Sequence, residues 1–144
     1  MPEIRIKNTG HHPLPAFQTE GSAGMDLQAL LEAPVTLQPL ERRVIPTGLY
    51  VAIEPGYEIQ VRARSGLSLK HGITLANGIG TIDSDYRGEI GVILVNLSDT
   101  PYTFHDGDRI AQMVMAKVEK PKLIPVDSLS DTARSDGGFG HSGY

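Results

Sequence analysis

Glycine and proline interrupt this chain so often that long helices have little room to form. The 144 residues include 16 glycines and 10 prolines, well above the combined share of about 12% in average proteins. Between them lie short segments rich in β-formers, such as EIRIK (3–7) and YEIQVRA (57–63), the second with clean polar and apolar alternation. The pattern predicts an all-β domain built from many short strands.

Other segments support the same fold class. Strand candidates are AGMDLQA (23–29), VTL (35–37), RRVIPTGLYVAI (42–53, broken at Pro46 to Gly48), GVILVNL (91–97), RIAQMVMAKV (109–118) and KPKLIPVDSL (120–129, a short edge strand). GVILVNL is apolar on both faces, so we expect it inside a sandwich or in an interface. Only ARSGLSLKHGI (63–73) favours one or two helical turns. We therefore expect one domain, residues 1–131, followed by a glycine-rich arm, residues 132–144, that cannot fold by itself.

Composition excludes several functional classes. The sequence has no cysteine, which rules out disulfides, thiol catalysis and cysteine-based zinc sites and fits a reducing compartment such as the cytoplasm. We expect no signal peptide from MPEIRIKN and no membrane span, because no apolar run is long enough. A net charge of −4 argues against sequence-independent polynucleotide binding but leaves room for a small basic pocket.

The segment GTIDSDYRG (80–88) crowds turn-forming, acidic and aromatic residues between apolar runs, and predicts a hairpin. Ser84 and Asp85 are typical turn residues. Asp83 is a candidate general base or cation ligand, although spacing alone does not separate it from Asp85, and Tyr86 offers a flat ring to a sugar or base. The alternative is a solvated turn without a function.

Polar residues at three other places suggest an anion site. Arg64, Ser65 and Gly66 begin the short helical segment, where free amides, a hydroxyl and a guanidinium suit a phosphate; the alternative is a serine cap beside a solvated arginine. Asp26 enters a short strand either as a turn cap or as a carboxylate that orients metal-bound water. Gln112 lies among core residues, where its amide holds either a phosphate oxygen, the attacking water or a structural partner.

Two further groups of candidate functional residues are the histidines near the start of the chain and the residues of the C-terminal arm. His11 and His12 form a weak metal motif, because adjacent imidazoles without a partner at ligand spacing rarely close a site. In the arm, Arg134 and Phe139 have the chemistry of a phosphate clamp and a base-stacking lid, and the alternative is an ordinary disordered terminus.

Five segments, in this order and spacing, resemble the five motifs of the homotrimeric deoxyuridine triphosphatases, or dUTPases. They are AGMDLQA, ARSGLSLK, GIGTIDSDYRGEIG, RIAQMVM and RSDGGFGHSGY. The resemblance covers essentially the whole chain. It implies a jelly-roll-like β-sandwich with one short helix, a homotrimer with active sites shared between subunits, and Mg²⁺-dependent hydrolysis of dUTP to dUMP and pyrophosphate. That reaction limits uracil incorporation into DNA and supplies dUMP for dTMP synthesis.

The resemblance also implies roles for residues around the predicted hairpin. Asp83 would be the general base that activates water for in-line attack on the α-phosphorus. Tyr86 would pack against the deoxyribose and exclude a 2′-hydroxyl. Asn77 and the hairpin backbone would read the uracil edge, and Thr81 would also contact the substrate.

Further implied roles concern the phosphates. Arg64, Ser65, Gly66 and Gln112 would hold the phosphate chain and the attacking water. Asp26 would act through water on a Mg²⁺ ion held mainly by the three substrate phosphates.

The arm would complete the site. Arg134 would clamp the phosphates, Phe139 would stack on uracil, Gly140 would allow a close approach and Ser142 would donate to a phosphate. The commonest family tail reads RGxGGFGSTG, and this chain departs from it with Ser135 in place of a glycine and His141 in place of a serine.

Three alternatives remain open at this level. A dCTP deaminase would share the fold, but we would expect a catalytic glutamate in its hairpin. A regulatory nucleotide-binding module would keep the pocket without turnover, and a structural β-trimer would leave the polar residues unexplained.

Overall fold

Ten strands and one helix make up the part of the chain that the computed structural model describes, residues 1–143. In chain order they are β1 (Ile4–Asn8), β2 (Met25–Gln28), β3 (Val35–Leu37), β4 (Arg42–Ile53), β5 (Tyr57–Arg62), α1 (Ser65–His71), β6 (Ile73–Leu75), β7 (Gly80–Ile82), β8 (Glu89–Asn96), β9 (Tyr102–Phe104) and β10 (Arg109–Lys117). The predicted all-β class with one short helix is confirmed. Within residues 1–143, no helix is long and apolar enough to cross a membrane.

Two four-stranded antiparallel sheets enclose the core. One has the strand order β1-β4-β8-β6 and the other β2-β10-β5-β7, while β3 and β9 form a small separate pair. Alternation along each strand sends one face inward: Ile59 and Val61 of β5 and Val92 and Leu94 of β8 are all buried. Burial of these apolar side chains between the sheets is the main stabilising term for such a sandwich.

The segment expected as a hairpin has a different topology. β7 pairs with β5 in one sheet, whereas β8 pairs with β4 and β6 in the other. The turn that joins β7 to β8 therefore crosses between sheets. Of the predicted hairpin, the run after the turn does pair with Leu75 at the start of the run before it (LANGI, 75–79), through the antiparallel strands β6 and β8, but β7 between them joins the other sheet. The turn itself is present, because the Tyr86 N–H donates to the Asp83 carbonyl at 3.1 Å and places Ser84 and Asp85 at its centre.

Three other strand predictions need correction. Residues 120–129 form no strand in the described structure, and the apolar side chains there, including Leu123 and Leu129, are exposed because no strand of this chain lies beside them. Residues 99–108 (DTPYTFHDGD), whose composition predicts turns, contain β9, which pairs with β3. In β4 the strand continues through Pro46 to Gly48, and the expected break is a shift of register between Pro46 and Tyr50.

GVILVNL lies at the centre of its sheet, as its composition predicted, but only one of its faces is fully buried. Val92, Leu94 and Asn96 point into the core, while Ile93 and Val95 on the opposite face are half-buried. An apolar surface thus remains on the outside of the β1-β4-β8-β6 sheet.

Candidate active site

A pocket of about 220 Å³ opens where β7 and β8 diverge into different sheets. Its floor is apolar and comes from both sheets, with Val61 and Ile82 on one side and Leu75 and Ile90 on the other. Its polar lining includes four of the residues predicted to contact substrate, namely Asn77, Thr81, Asp83 and Tyr86. A largely apolar pocket with a few converging polar groups is the usual form of a small-molecule site.

Glycines shape this pocket by letting side chains lie against bare backbone. A Cβ atom on Gly80 would lie 3.2 Å from Cβ of Val61 and 3.4 Å from Nδ2 of Asn77. A Cβ atom on Gly88 would collide with the Tyr86 ring. The Tyr86 hydroxyl donates to the Glu89 carbonyl at 2.9 Å, so both ends of the side chain are fixed.

Asp83 follows β7 directly and lies on the pocket edge with its side chain exposed. Asp85, two residues further along the turn, is not among the residues that line the pocket. The geometry thus favours Asp83 over Asp85 as the carboxylate that meets a pocket ligand.

A second polar cluster lies at the other end of β5. The register of β10 sets Gln112 beside Asp26 of β2 and Arg62 of β5. Arg64 Nε lies 3.2 Å from Asp26 Oδ1, and Arg109 Nη1 lies 3.7 Å from Asp26 Oδ2. One carboxylate is thus shared by two guanidinium groups, which leaves this cluster with an excess of positive charge that suits an anion.

The Gln112 amide is held in place by two contacts. Nε2 donates to the Ala63 carbonyl at 3.1 Å. Oε1 faces Gly24, where an added Cβ atom would lie only 2.8 Å away. A glycine at position 24 is therefore required for this orientation of the amide.

The start of α1 adjoins this cluster. Arg64 is the residue before the helix, with extended backbone angles (φ −92°, ψ 129°) and no side-chain cap, and Ser65 is the first helical residue. The alternative of a serine cap was therefore wrong. Ser65 and Gly66 are both exposed beside Arg64, so their backbone amides face solvent.

The arm residues are not brought to the pocket within one chain. Arg134 Nε donates to the Gly137 carbonyl at 2.6 Å, which folds the arm on itself. Phe139 and Ser142 are exposed, and Gly140 has a positive φ of 88°. None of these residues lines the pocket beside Asp83.

The pocket and the polar cluster are separated along β5. Ile82 pairs with Ile59, so Asp83 lies just past the beginning of β5, whereas Arg64 follows its end. At about 3.3 Å of rise per strand residue, roughly 15–20 Å separates the two groups. A substrate with a base and a short phosphate chain cannot easily touch both groups of the same chain.

Comparison with known proteins identifies a family that the chain matches. Residues 11–143 match the dUTPase family. The chain is 57% identical over 142 residues to the deoxyuridine 5'-triphosphate nucleotidohydrolase of Finegoldia magna, with 99% of each chain covered. It is 55% identical over 130 residues to that of Fusobacterium nucleatum, covering 90% of this chain and 89% of the other.

A solved structure shows the same architecture. The dUTPase of Staphylococcus bacteriophage 80alpha, solved as a mutant with dUpNHpp, superposes with a TM-score of 0.87 at 26% identity, covering 99% of both chains. This chain belongs to the dUTPase family. The resemblance seen in the five sequence segments is thereby confirmed.

The sequence did not indicate two residues that lie in or beside the candidate site, Arg109 and Glu89. Arg109 opens β10 opposite Gln28 of β2, and only the folded structure reveals that its guanidinium lies 3.7 Å from Asp26 Oδ2. Glu89 lines the pocket, but its Oε1 accepts the Gly48 N–H at 2.9 Å, so this carboxylate holds two strands together. The only sequence signal for Glu89 is its position shortly after a turn that contains a tyrosine.

Gly24→Ala should displace the Gln112 amide, because an added Cβ atom would lie 2.8 Å from Gln112 Oε1. The same atom would lie 3.2 Å from Val114 Cγ2 and 3.3 Å from the Met113 carbonyl oxygen, so a melting curve verifies that the variant folds. We expect kcat/KM for dUTP to fall about 10- to 100-fold, the effect of an ångström-scale misplacement at a reacting centre. Gly21→Ala is the matched control, since nothing lies within 4 Å of its Cβ position. Equal activity of the two variants would show that the Gln112 orientation has no part in turnover.

Proposed function

We propose that Asp83 of this dUTPase, which hydrolyses dUTP to dUMP and pyrophosphate, is the general base for in-line attack of water on the α-phosphorus. The observation that carries the proposal is the pocket that unites Asn77, Thr81, Asp83 and Tyr86. It lies in a chain 57% identical over almost its whole length to a deoxyuridine 5'-triphosphate nucleotidohydrolase. In the proposed role, Asp83 accepts a proton from water as the bond to phosphorus forms.

Nucleoside selection follows from the shape of the pocket. We assign the uracil edge to Asn77 and the neighbouring backbone, with Thr81 as a further contact. The Tyr86 ring, fixed by its hydroxyl bond and by Gly88, would pack against the deoxyribose and leave no room for a 2′-hydroxyl. Steric exclusion of this kind discriminates by a clash with the wrong substrate.

The phosphates would occupy the cluster at the other end of β5. Arg64, Ser65 and Gly66 supply a charge, a hydroxyl and backbone amides, and Gln112 would orient a phosphate oxygen or the attacking water. Positive groups fixed before the reaction stabilise the charge that develops on phosphate oxygens, which is the main requirement of phosphoryl chemistry.

The dUTPase family uses Mg²⁺, and the residues here fit that ion. Asp26 provides one half-buried carboxylate beside the proposed phosphate site. Mg²⁺ is usually held by one or two carboxylates, several waters and substrate phosphates. We propose that Asp26 holds it through water, and that the bound ion neutralises phosphate charge.

We further propose a homotrimer whose sites combine residues of different chains, with residues 1–131 as the β domain and the arm 132–144 closing over a neighbour's site. The separation of Asp83 from Arg64 within one chain supports this arrangement. So do the apolar outer face of β8 and the exposed Val44, Leu123 and Ile124. Apolar patches of this kind usually mark protein interfaces.

The cellular consequence would be a lower dUTP level, which limits uracil in DNA, and a supply of dUMP for dTMP synthesis. We place the enzyme in the cytoplasm, in keeping with a sequence that has no cysteine. Its partners would be the nucleotide and other copies of the chain, with no polynucleotide and no membrane.

Asp83→Asn keeps the shape of the side chain but cannot accept a proton at neutral pH. We expect kcat to fall on the order of 10²- to 10⁴-fold, with near-normal affinity for a non-hydrolysable dUTP analogue. Asp85→Asn, on the same turn but outside the pocket, is the control and should retain activity. An unchanged kcat in Asp83→Asn would remove Asp83 from the role of base.

Tyr86→Ala should narrow the ratio of kcat/KM for dUTP to that for UTP, because the ring is proposed to exclude the 2′-hydroxyl. Tyr86→Phe loses the hydroxyl bond to the Glu89 carbonyl but keeps the ring, so it should retain most of the discrimination. If both variants lose activity while the ratio stays constant, Tyr86 supports the turn and does not sense the sugar.

A mixing experiment tests the shared site. One chain carries Asp83→Asn and the other is truncated after Asp131, and each alone should be nearly inactive. When both are unfolded together and refolded at equal ratio, random assortment gives intact copies of both elements at about one quarter of the sites. Activity should therefore reappear. No recovery, with mixed trimers verified by light scattering and exchange of a tagged chain, would mean that each chain supplies both elements to one site.

A further inference from the structure

Three potential metal ligands meet on the surface outside the Asp83 pocket. His11 Nε2 lies 2.8 Å from Asp106 Oδ2, and His12 Nε2 lies 2.9 Å from Asp106 Oδ1. The sequence interpretation, that the two histidines have no partner, was therefore wrong, because the partner lies 94 residues away from His12. Among the described residues these are the three histidine and acidic side chains that come together at metal-ligand spacing.

Asp106 is held in place by the turn that carries it. Its Oδ1 accepts the Leu31 N–H at 2.9 Å. The Gln28 side chain donates to the Gly107 carbonyl at 3.0 Å, and the Gly107 N–H donates to the Ala29 carbonyl at 2.9 Å. The turn after β9 is thus fastened to the end of β2, and the carboxylate is oriented before any ion arrives.

The histidines are positioned from the other side. The Asn8 amide donates to the His12 carbonyl at 2.8 Å, which fixes the turn after β1. His12 lies against Gly107, where an added Cβ atom would be 3.3 Å from the His12 ring. The His12 side chain is only 19% exposed, whereas that of His11 is 68% exposed. Because the His11 side chain is exposed, an ion would enter from solvent on its side of the cluster.

We propose that His11, His12 and Asp106 bind one divalent transition-metal ion of the zinc class, with a fourth position open to water. The three candidate ligand atoms all lie within 4.8 Å of one another. Zinc bonds of about 2.0–2.2 Å in a tetrahedron separate ligand atoms by roughly 3.4 Å, so small side-chain rotations suffice. On binding, each imidazole would change tautomer, so that its proton lies on Nδ1 and the lone pair of Nε2 binds the ion.

The donor set distinguishes this site from the magnesium site proposed at Asp26. Two imidazole nitrogens and one carboxylate suit zinc, cobalt or nickel, whereas magnesium prefers oxygen ligands alone. The Asp106 carboxylate already accepts the Leu31 N–H at Oδ1 and contacts both imidazoles. Without metal it accepts a hydrogen bond from each imidazole, and it can ligate an ion once the imidazole rings rotate.

Such an ion would join the turn after β1 to the turn before β10. His12 and Asp26 also line the same small pocket, so the ion would brace the side of the fold that carries the proposed phosphate cluster. Binding to the folded state alone raises the melting temperature in proportion to the logarithm of free ion concentration.

The test uses the full chain without nucleotide and with magnesium in excess. Zn²⁺ is titrated by calorimetry, and Co²⁺ is added in parallel because four-coordinate Co²⁺ absorbs strongly in visible light. We expect one ion per chain and a higher melting temperature. His11→Ala, which alters an exposed side chain, and Asp106→Asn should each weaken binding by about 100-fold or more, beyond the 10–100-fold typical of outer-shell losses. His105→Ala, an exposed histidine on the same turn, should bind normally.

Two outcomes would overturn the proposal. One is wild-type protein that binds no Zn²⁺ or Co²⁺ under these conditions, which would leave the three side chains as a hydrogen-bonded triad. The other is binding that survives in His11→Ala and Asp106→Asn, or that disappears equally in His105→Ala. Melting curves without metal verify that each variant folds, and no readout depends on dUTP hydrolysis.

Discussion

The pairing of β5 with β7 on one side and with β10 on the other is the constraint on which the candidate site depends. An extended strand has nearly fixed length, so whatever follows β5 and whatever follows its antiparallel partner β7 must lie at opposite ends of the sheet. Arg64 takes the first position and Asp83 the second. One chain therefore presents two separate polar surfaces, and this separation is the basis of the proposed site between chains. The sheet also keeps the negative Asp83 away from the guanidinium groups that would otherwise pair with it.

Local signals in the sequence predicted local structure well. The alternation in YEIQVRA predicted the buried face of β5, and the composition of residues 83–86 predicted the turn, because both depend on neighbouring residues only. Contacts between residues distant in the sequence were harder to predict. Nothing local indicates that β7 and β8 join different sheets, or that Asp106 reaches His12. KPKLIPVDSL has strand-forming residues but no strand of this chain beside it, and a strand is defined by its partner.

The arrangement around Asp26 keeps two guanidinium groups close together in the absence of a ligand. Arg64 and Arg109 share this single carboxylate, so the two cations remain ordered at a moderate cost in repulsion and stay near the surface. In the proposed phosphate site, an incoming phosphate would take over one guanidinium while the carboxylate retained the other. The Gln112 amide, fixed between Ala63 and Gly24, adds a dipole that needs no rearrangement. A pre-oriented set of this kind is worth more in catalysis than the same groups arranged only after binding.

The arm has a local shape of its own, and this shape bears on the two departures from the family tail. Ser135 has a φ of 50°, in the left-handed region where the family pattern places glycine, so this chain accepts a strain of about 1 kcal/mol that glycine would avoid. The His141 ring packs against Gly137, where any side chain would collide with it, while the carbonyl of Gly137 accepts from Arg134. In the proposed closed site, Arg134 must exchange that neutral carbonyl for a phosphate, and a bond between two charged groups is the stronger of the two. The bond to a neutral carbonyl thus holds Arg134 less tightly than a phosphate would, so the substrate of the proposed site could displace it.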